Sequence, residues 1–258
     1  MKRSDKTTMG GRAEGFTTTH WSVILELQEG GDEARRQAAL NELLGRYWKP
    51  VYCYLRRKGC GNEEAKDLTQ GFFMEVVLGR GLVEQADQAK GRFRTFLLTA
   101  LDRYATSVHR AATAKKRMPE GGLAPLDAVD GTRLPEPADD ATPEGAFHYA
   151  WACELLDEVL AEVASGCRER GMAVHWAVFR ARVLRPILDD ERPVPLRELC
   201  SEHGIESEAR ASNMLVTVKR RFQAALRARV RLLVVSDADV DAEIGELMAI
   251  LSASRAGP

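Results

Sequence analysis

The strongest constraint on this chain is the spacing of its apolar residues, which recur every three or four positions in one segment after another. Ala39, Leu43, Tyr47, Val51 and Leu55 follow that rhythm. So do Ala65, Leu68, Phe72 and Val76, then Phe147, Trp151, Leu155, Val159 and Val163, then Ala211, Leu215, Val218, Phe222 and Leu226. A half-buried strand would alternate at every second residue, whereas this period puts the apolar side chains on one face of a helix. Ala, Leu, Arg and Glu crowd the sequence, while runs of Val, Ile, Thr and Tyr are short, so local propensity agrees with the period. An all-α protein is expected.

Glycine and proline divide the pattern. A short helix carrying Trp21, Ile24, Leu25 and Leu27, with Thr19 as a cap, should stop at Gly30-Gly31, and Asp32 should open a longer one. Pro50 lies inside that second run and either kinks one helix or begins another. Past Gly59 and Gly61, Asn62 is a suitable cap, with Glu63 and Glu64 in a first turn that favours carboxylates. A further helix is expected over about 92–117, with Phe93, Phe96, Leu97, Leu101, Tyr104 and Val108 on its buried side. Residues 118–143 then hold five prolines, three glycines and the acids Asp127, Asp130, Glu136, Asp139 and Asp140, which predicts a flexible acidic linker. Helical spacing resumes at Phe147 and continues to a last amphipathic segment near 240–251.

The expected layout is an N-terminal tail (1–17) that is disordered, a helical domain (18–117), the linker (118–143) and a second helical domain (144–252). No apolar run approaches the roughly 20 residues needed to span a bilayer, and the polar N-terminus lacks a secretory leader's apolar stretch. A cytoplasmic protein that makes no membrane contact is expected. The five cysteines are scattered, and Cys200 with His203 lacks the second pair that a structural zinc needs, so no metal site is expected.

Net charge is −1, but that sum hides segments of opposite sign. Lys90, Arg92, Arg94, Arg103, Arg110, Lys115, Lys116 and Arg117 face a single acid, Asp102. Lys219, Arg220, Arg221, Arg227, Arg229 and Arg231 face none within their run. Two basic helices suggest nucleic-acid phosphates, because phosphate neutralisation by Lys and Arg dominates such affinity. A solvated basic face is the plain alternative for each. Leu196 to His203, a turn at Gly204-Ile205 and a helix from Ser207 read as a helix-turn-helix cornered by Leu199 and Ile205. Arg210, Ser212, Asn213, Thr217, Arg220 and Arg221 would then face outward, where Asn can address adenine, Arg guanine, and Ser or Thr phosphate. Glu206 and Glu208 near the helix start oppose phosphate. No Gly-rich phosphate loop, H-E-x-x-H or G-x-S-x-G is present, and the five histidines are isolated, so neither enzymatic activity nor a cofactor is expected.

Certain runs resemble a known family. Arg46-Tyr47-Trp48-Lys49-Pro50-Val51-Tyr52, Leu55-Arg56-Arg57 and Glu64-Ala65-Lys66-Asp67-Leu68-Thr69-Gln70 are similar to the first domain of extracytoplasmic-function (ECF) RNA polymerase sigma factors. The D-L-T-Q-x-F-F form and Gly91-Arg92-Phe93-Arg94-Thr95-Phe96-Leu97-Leu98 resemble an ECF-like branch seen in Planctomycetes and related bacteria. Asn213 to Phe222 and Asp241 to Leu247 are similar to that branch's second domain. The resemblance implies a transcription initiation factor whose partners are core RNA polymerase and promoter DNA. Asp67 and Gln70 would bind polymerase. Arg92, Arg94, Arg103, Arg110, Lys115, Lys116 and Arg117 would bind and melt the −10 element. Ser212, Asn213, Thr217, Lys219, Arg220 and Arg221 would contact the −35 element. The chain departs from the family at Phe96, where many members have Trp, and at Arg103, where many have Asn.

Two other readings stand beside this one. A helix-turn-helix regulator could bind duplex DNA independently of polymerase, and a helical sigma relative could sequester a partner. An anti-sigma factor, phosphorylation or control of expression all stay open as the regulatory input.

Overall fold

The computed structural model describes residues 20–29, 32–87, 90–115, 142–189, 191–234 and 236–253. In chain order these form α1 (His20–Gln28), α2 (Glu33–Arg57), α3 (Asn62–Gly71) running into a π-helical segment (Phe72–Leu78), α4 (Phe93–Lys115) and α5 (Pro143–Glu169). Next come α6 (Ala173–Phe179), a second π-helical segment (Arg180–Leu184), α7 (Arg185–Leu188), α8 (Leu196–His203), α9 (Glu208–Arg231), a 3-10 turn (Asp237–Asp239) and α10 (Val240–Ala253). Every one of these elements is helical, and the fold is all-α. No helix among the described residues is long and apolar enough to cross a membrane.

Local rules account for most boundaries. Asp32 caps α2, and its carboxylate accepts the Ala34 amide. Pro50 is accommodated inside a single α2, with its ring buried. The cap of α3 is Gly61 rather than Asn62, and the Glu64 carboxylate reaches back 3.3 Å to the Gly61 amide. Asn62 is diverted from capping because its side-chain oxygen accepts the Tyr52 hydroxyl at 2.7 Å. Where α3 passes α4 the approach is so close that a Cβ on Gly71 would collide with the Tyr104 hydroxyl. Thr69, fully buried, returns its hydroxyl to the Ala65 carbonyl at 2.7 Å, so its polar group carries no desolvation penalty.

The main core runs through both halves of the chain. It joins Leu43, Tyr47 and Val51 of α2, Phe93, Leu97 and Leu101 of α4, Phe147, Trp151 and Leu155 of α5, Leu226 and Val230 of α9 and Leu247 of α10. Tyr47 stands at its centre, edge-on to Phe93 at 5.6 Å and stacked on Phe147 at 6.4 Å. Each such side chain contributes about 1.5–3 kcal/mol through burial, so the seam between α2 and α5 is a principal source of stability. The helical segments on either side of residues 118–143 therefore share a core in this arrangement. Nearly all of the expected linker, like the 1–17 tail, lies outside the described residues. Its last two residues are visible at the start of α5, where the Thr142 hydroxyl accepts the Gly145 amide at 3.0 Å and Pro143 takes the first helical position.

Two smaller clusters complete the interior. Leu160, Val163, Cys167, Phe179 and Val218 tie α5, α6 and α9 together. Val178, Leu199, Ile205 and Ala211 form the corner between α6, α8 and α9.

Candidate nucleic-acid interface

The helix-turn-helix follows from three residues. Gly204 ends α8 in the left-handed region (φ 62°), a conformation that costs glycine little. Ile205 and Leu199 then pack into the corner, and Ser207 caps α9 by accepting the Arg210 amide at 3.2 Å. With Ala211, Val218 and Leu226 turned inward, the opposite face of α9 is open. Ser212, Asn213, Lys219 and Arg220 are exposed there, and Thr217 and Arg221 sit half-buried on its flank. The Thr217 hydroxyl donates to the Asn213 carbonyl at 2.8 Å, which leaves it free only as an acceptor. Arg210 is occupied by Glu206 at 2.7 Å, so that glutamate is a partner to a cation and not only a repellent to phosphate.

Two residues on this face escaped the sequence reading. At 100° per residue, Ser212, Asn213, Val216, Arg220 and Gln223 lie within one exposed sector of α9. Val216 is 44% exposed there. Sorting α9 by angle rather than by charge would have found both Val216 and Gln223.

The basic residues of α4 divide into two groups. Arg103 and Arg110 are exposed, and with Asp102, Thr106 and Ser107 they line a shallow polar depression. Arg92 and Arg94, at the start of the helix, instead meet α10. The guanidinium of Arg94 is 4% exposed and lies 4.3 Å over the Trp151 ring. It pairs with Glu243 and, at 2.8 Å, with Glu246. Arg92 reaches Glu243 at 2.7 Å and also pairs with Glu246. Glu243 itself is only 1% exposed. Burial pushes the Glu246 carboxyl up, but Arg94 and Arg92 outweigh it and hold the group below the usual carboxylate range. The sequence grouped all these cations as one DNA-facing set. In this structure Arg94 faces protein, and Arg92 is partly covered. The Lys115 side chain, Lys116 and Arg117 lie outside the described residues.

A second ionic contact anchors the exposed group. Asp102 accepts the Tyr54 hydroxyl at 2.7 Å and pairs with Lys58 at 2.9 Å, fastening α4 to α2. The hydrogen bonds from Lys58 and Tyr54 hold the Asp102 carboxyl below its ordinary value, while burial and Asp102 push the Tyr54 phenol up to about 12. Asp102, the one acid of the basic segment, therefore stays ionised and fixes the helix that carries Arg103 beside it.

Asp67 and Gln70 sit three residues apart on α3, with Asp67 exposed and Gln70 half-buried. Asp67 makes no ion pair among the described residues, whereas its neighbour Lys66 is held by Glu63 at 3.1 Å. The aromatic partner in this region is Phe96, whose ring packs 6.3 Å from Phe93 and is half-buried against the core. Among the described residues, no three His, Cys, Asp or Glu side chains group so as to hold a metal ion. No family model, curated protein or solved structure matches the chain.

Proposed function

We propose that the chain is an RNA polymerase sigma factor of the ECF type, which acts without a cofactor in the cytoplasm and performs no catalysis of its own. It docks on core polymerase, directs it to promoters and helps open the DNA. The observation that carries this reading is the pairing, on one chain, of an open cationic helix-turn-helix with a separate face at the exposed Asp67 and half-buried Gln70. A self-sufficient repressor has no use for the second face.

Each surface has a physical task. α9 presents Asn213 and Arg220 to a major groove, with Ser212, Thr217, Lys219 and Arg221 toward phosphates. Arg103 and Arg110 offer cations to a displaced single strand, where charge and stacking act together. Asp67 offers a carboxylate to a cationic site on polymerase. Reconstitution with core polymerase on a library of bubble-containing promoters tests the whole. Specific transcripts are expected, and a chain that neither associates with core nor yields transcripts ends the reading. Within that assay, Asp67→Ala with Gln70→Ala weakens core binding by at least tenfold while circular dichroism is unchanged. Full affinity in that variant removes the α3 face from the proposal.

One observation favours the rival. With Arg94 enclosed by α10, the helix-turn-helix is the more open of the two cationic surfaces, as a duplex-binding regulator acting alone would require. Tight, sequence-selective duplex binding without polymerase, together with no affinity for core, would decide for that regulator.

A further inference from the structure

The meeting of α4 with α10 has features that a simple packing contact lacks. Two guanidinium groups that begin a basic helix converge on two carboxylates of a helix about 150 residues later in the chain. All four groups are partly or fully withdrawn from water: Arg92 (39%), Arg94 (4%), Glu243 (1%) and Glu246 (40%). Fork-shaped pairing of guanidinium with carboxylate uses the same planar donor geometry that guanidinium uses for phosphate. The carboxylates thus occupy the sites a nucleic-acid backbone would use. The remaining basic side chains described on α4, Arg103 and Arg110, are exposed.

We propose that Glu243 and Glu246 are an internal stand-in for phosphate, so that α10 and a nucleic-acid backbone compete for Arg92 and Arg94. This rests on the reading of α4 as a nucleic-acid-binding helix. The free chain is then held in a state of reduced affinity, and exposing both arginines requires α10 to leave the start of α4. The two carboxylates differ in what they do. Glu243 lies deep and secures the closed state, whereas Glu246 is partly in water and is the point at which an incoming phosphate first displaces a carboxylate. Trp151 lies under the Arg94 guanidinium and holds its plane in position.

The test uses the full chain and a fluorescein-labelled, mixed-sequence single-stranded DNA of about 30 nucleotides, longer than the roughly 4–16 nucleotides a single-strand-binding module covers. Anisotropy gives Kd across a salt series. Glu246→Gln is expected to tighten binding several-fold, and Glu243→Gln with Glu246→Gln at least tenfold. In the double variant the salt dependence steepens, because log K against log[salt] changes by about 0.7 for each extra phosphate neutralised on a single strand. Adding Arg92→Ala and Arg94→Ala to the double variant abolishes the gain. Glu33→Gln with Glu84→Gln makes the same change in net charge at exposed sites away from α10 and is expected to leave Kd nearly unchanged.

An equal gain in that control, or no gain in the α10 variants, overturns the proposal. If the double variant loses its thermal transition, Glu246→Gln decides alone, since it leaves Glu243 paired with both arginines. Wild-type binding with a normal salt slope but no response to the glutamine variants overturns the competition only. No salt-dependent binding by any variant overturns the nucleic-acid reading of α4 and the competition with it.

Discussion

The start of α4 and the outer face of α9 carry the same chemistry in different circumstances. Both are rich in arginine. On α9, Lys219 and Arg220 stand in water and spend nothing on the fold. At the start of α4, Arg94 is enclosed by Glu243, Glu246 and Trp151, and removing it would take the buried one of two guanidinium partners from a carboxylate that has only 1% exposure. A count of cations cannot distinguish these cases. What separates them is whether an acid from a distant part of the chain arrives at the same place.

The largest effect that tests this contrast is on stability. Arg94→Ala should cost about 3–5 kcal/mol, the range for breaking one side of a buried ion pair, whereas Arg220→Ala should stay within about 0.5 kcal/mol. Urea denaturation measures both, and two equal losses would erase the distinction. Next in size is the effect on binding. Arg220→Ala with Arg221→Ala should weaken binding to a selected duplex by about tenfold and flatten its salt slope by about one to two; an unchanged slope would remove both side chains from the interface. Ser207→Ala should cost about 1 kcal/mol by uncapping α9, with a matching loss of protection in the amides of its first turn. A loss spread evenly along α9 would show that the cap does not act locally.

The smallest effect concerns His148, on α5 beside the Arg94 cluster. Burial, followed by the field of Arg94, holds its imidazole below its ordinary pKa; Arg92 adds to the depression, while Glu246 and Glu144 oppose it. An unfolded chain takes up this proton near pH 6.5, and the folded chain does so only at lower pH. The residue's contribution is therefore complete above about pH 6.5 and is lost as pH falls toward the folded value. The decline in Tm between pH 7 and pH 5.5 should be smaller in His148→Gln than in the wild type. Identical declines would mean that the imidazole titrates alike in both states.

The helices were legible because their instructions are local. The period of Ala39 through Leu55, the Asp32 cap and Gly204 each act within a turn or two, and each appears where the spacing puts it. Asn62 lost its expected role to a neighbour ten residues away, Tyr52, which is near the limit of what spacing alone can show. The enclosure of Arg94 lay beyond that limit. Its acid partners are 149 and 152 residues further on, and nothing in either stretch marks it as half of a pair. On α9, an exposed valine among polar residues carries no chemical flag, and only its angular position puts Val216 on the open face.

The seam between α2 and α5 bears on how this chain could be recombined with other helical proteins. Tyr47, Phe93, Phe147 and Trp151 must fit one another across what the sequence marks as a boundary. A chimera joining residues 18–117 to a foreign second half would inherit half a jigsaw. Grafts would therefore succeed only when the aromatic faces of α2 and α5 travel together, which makes the seam the unit of exchange.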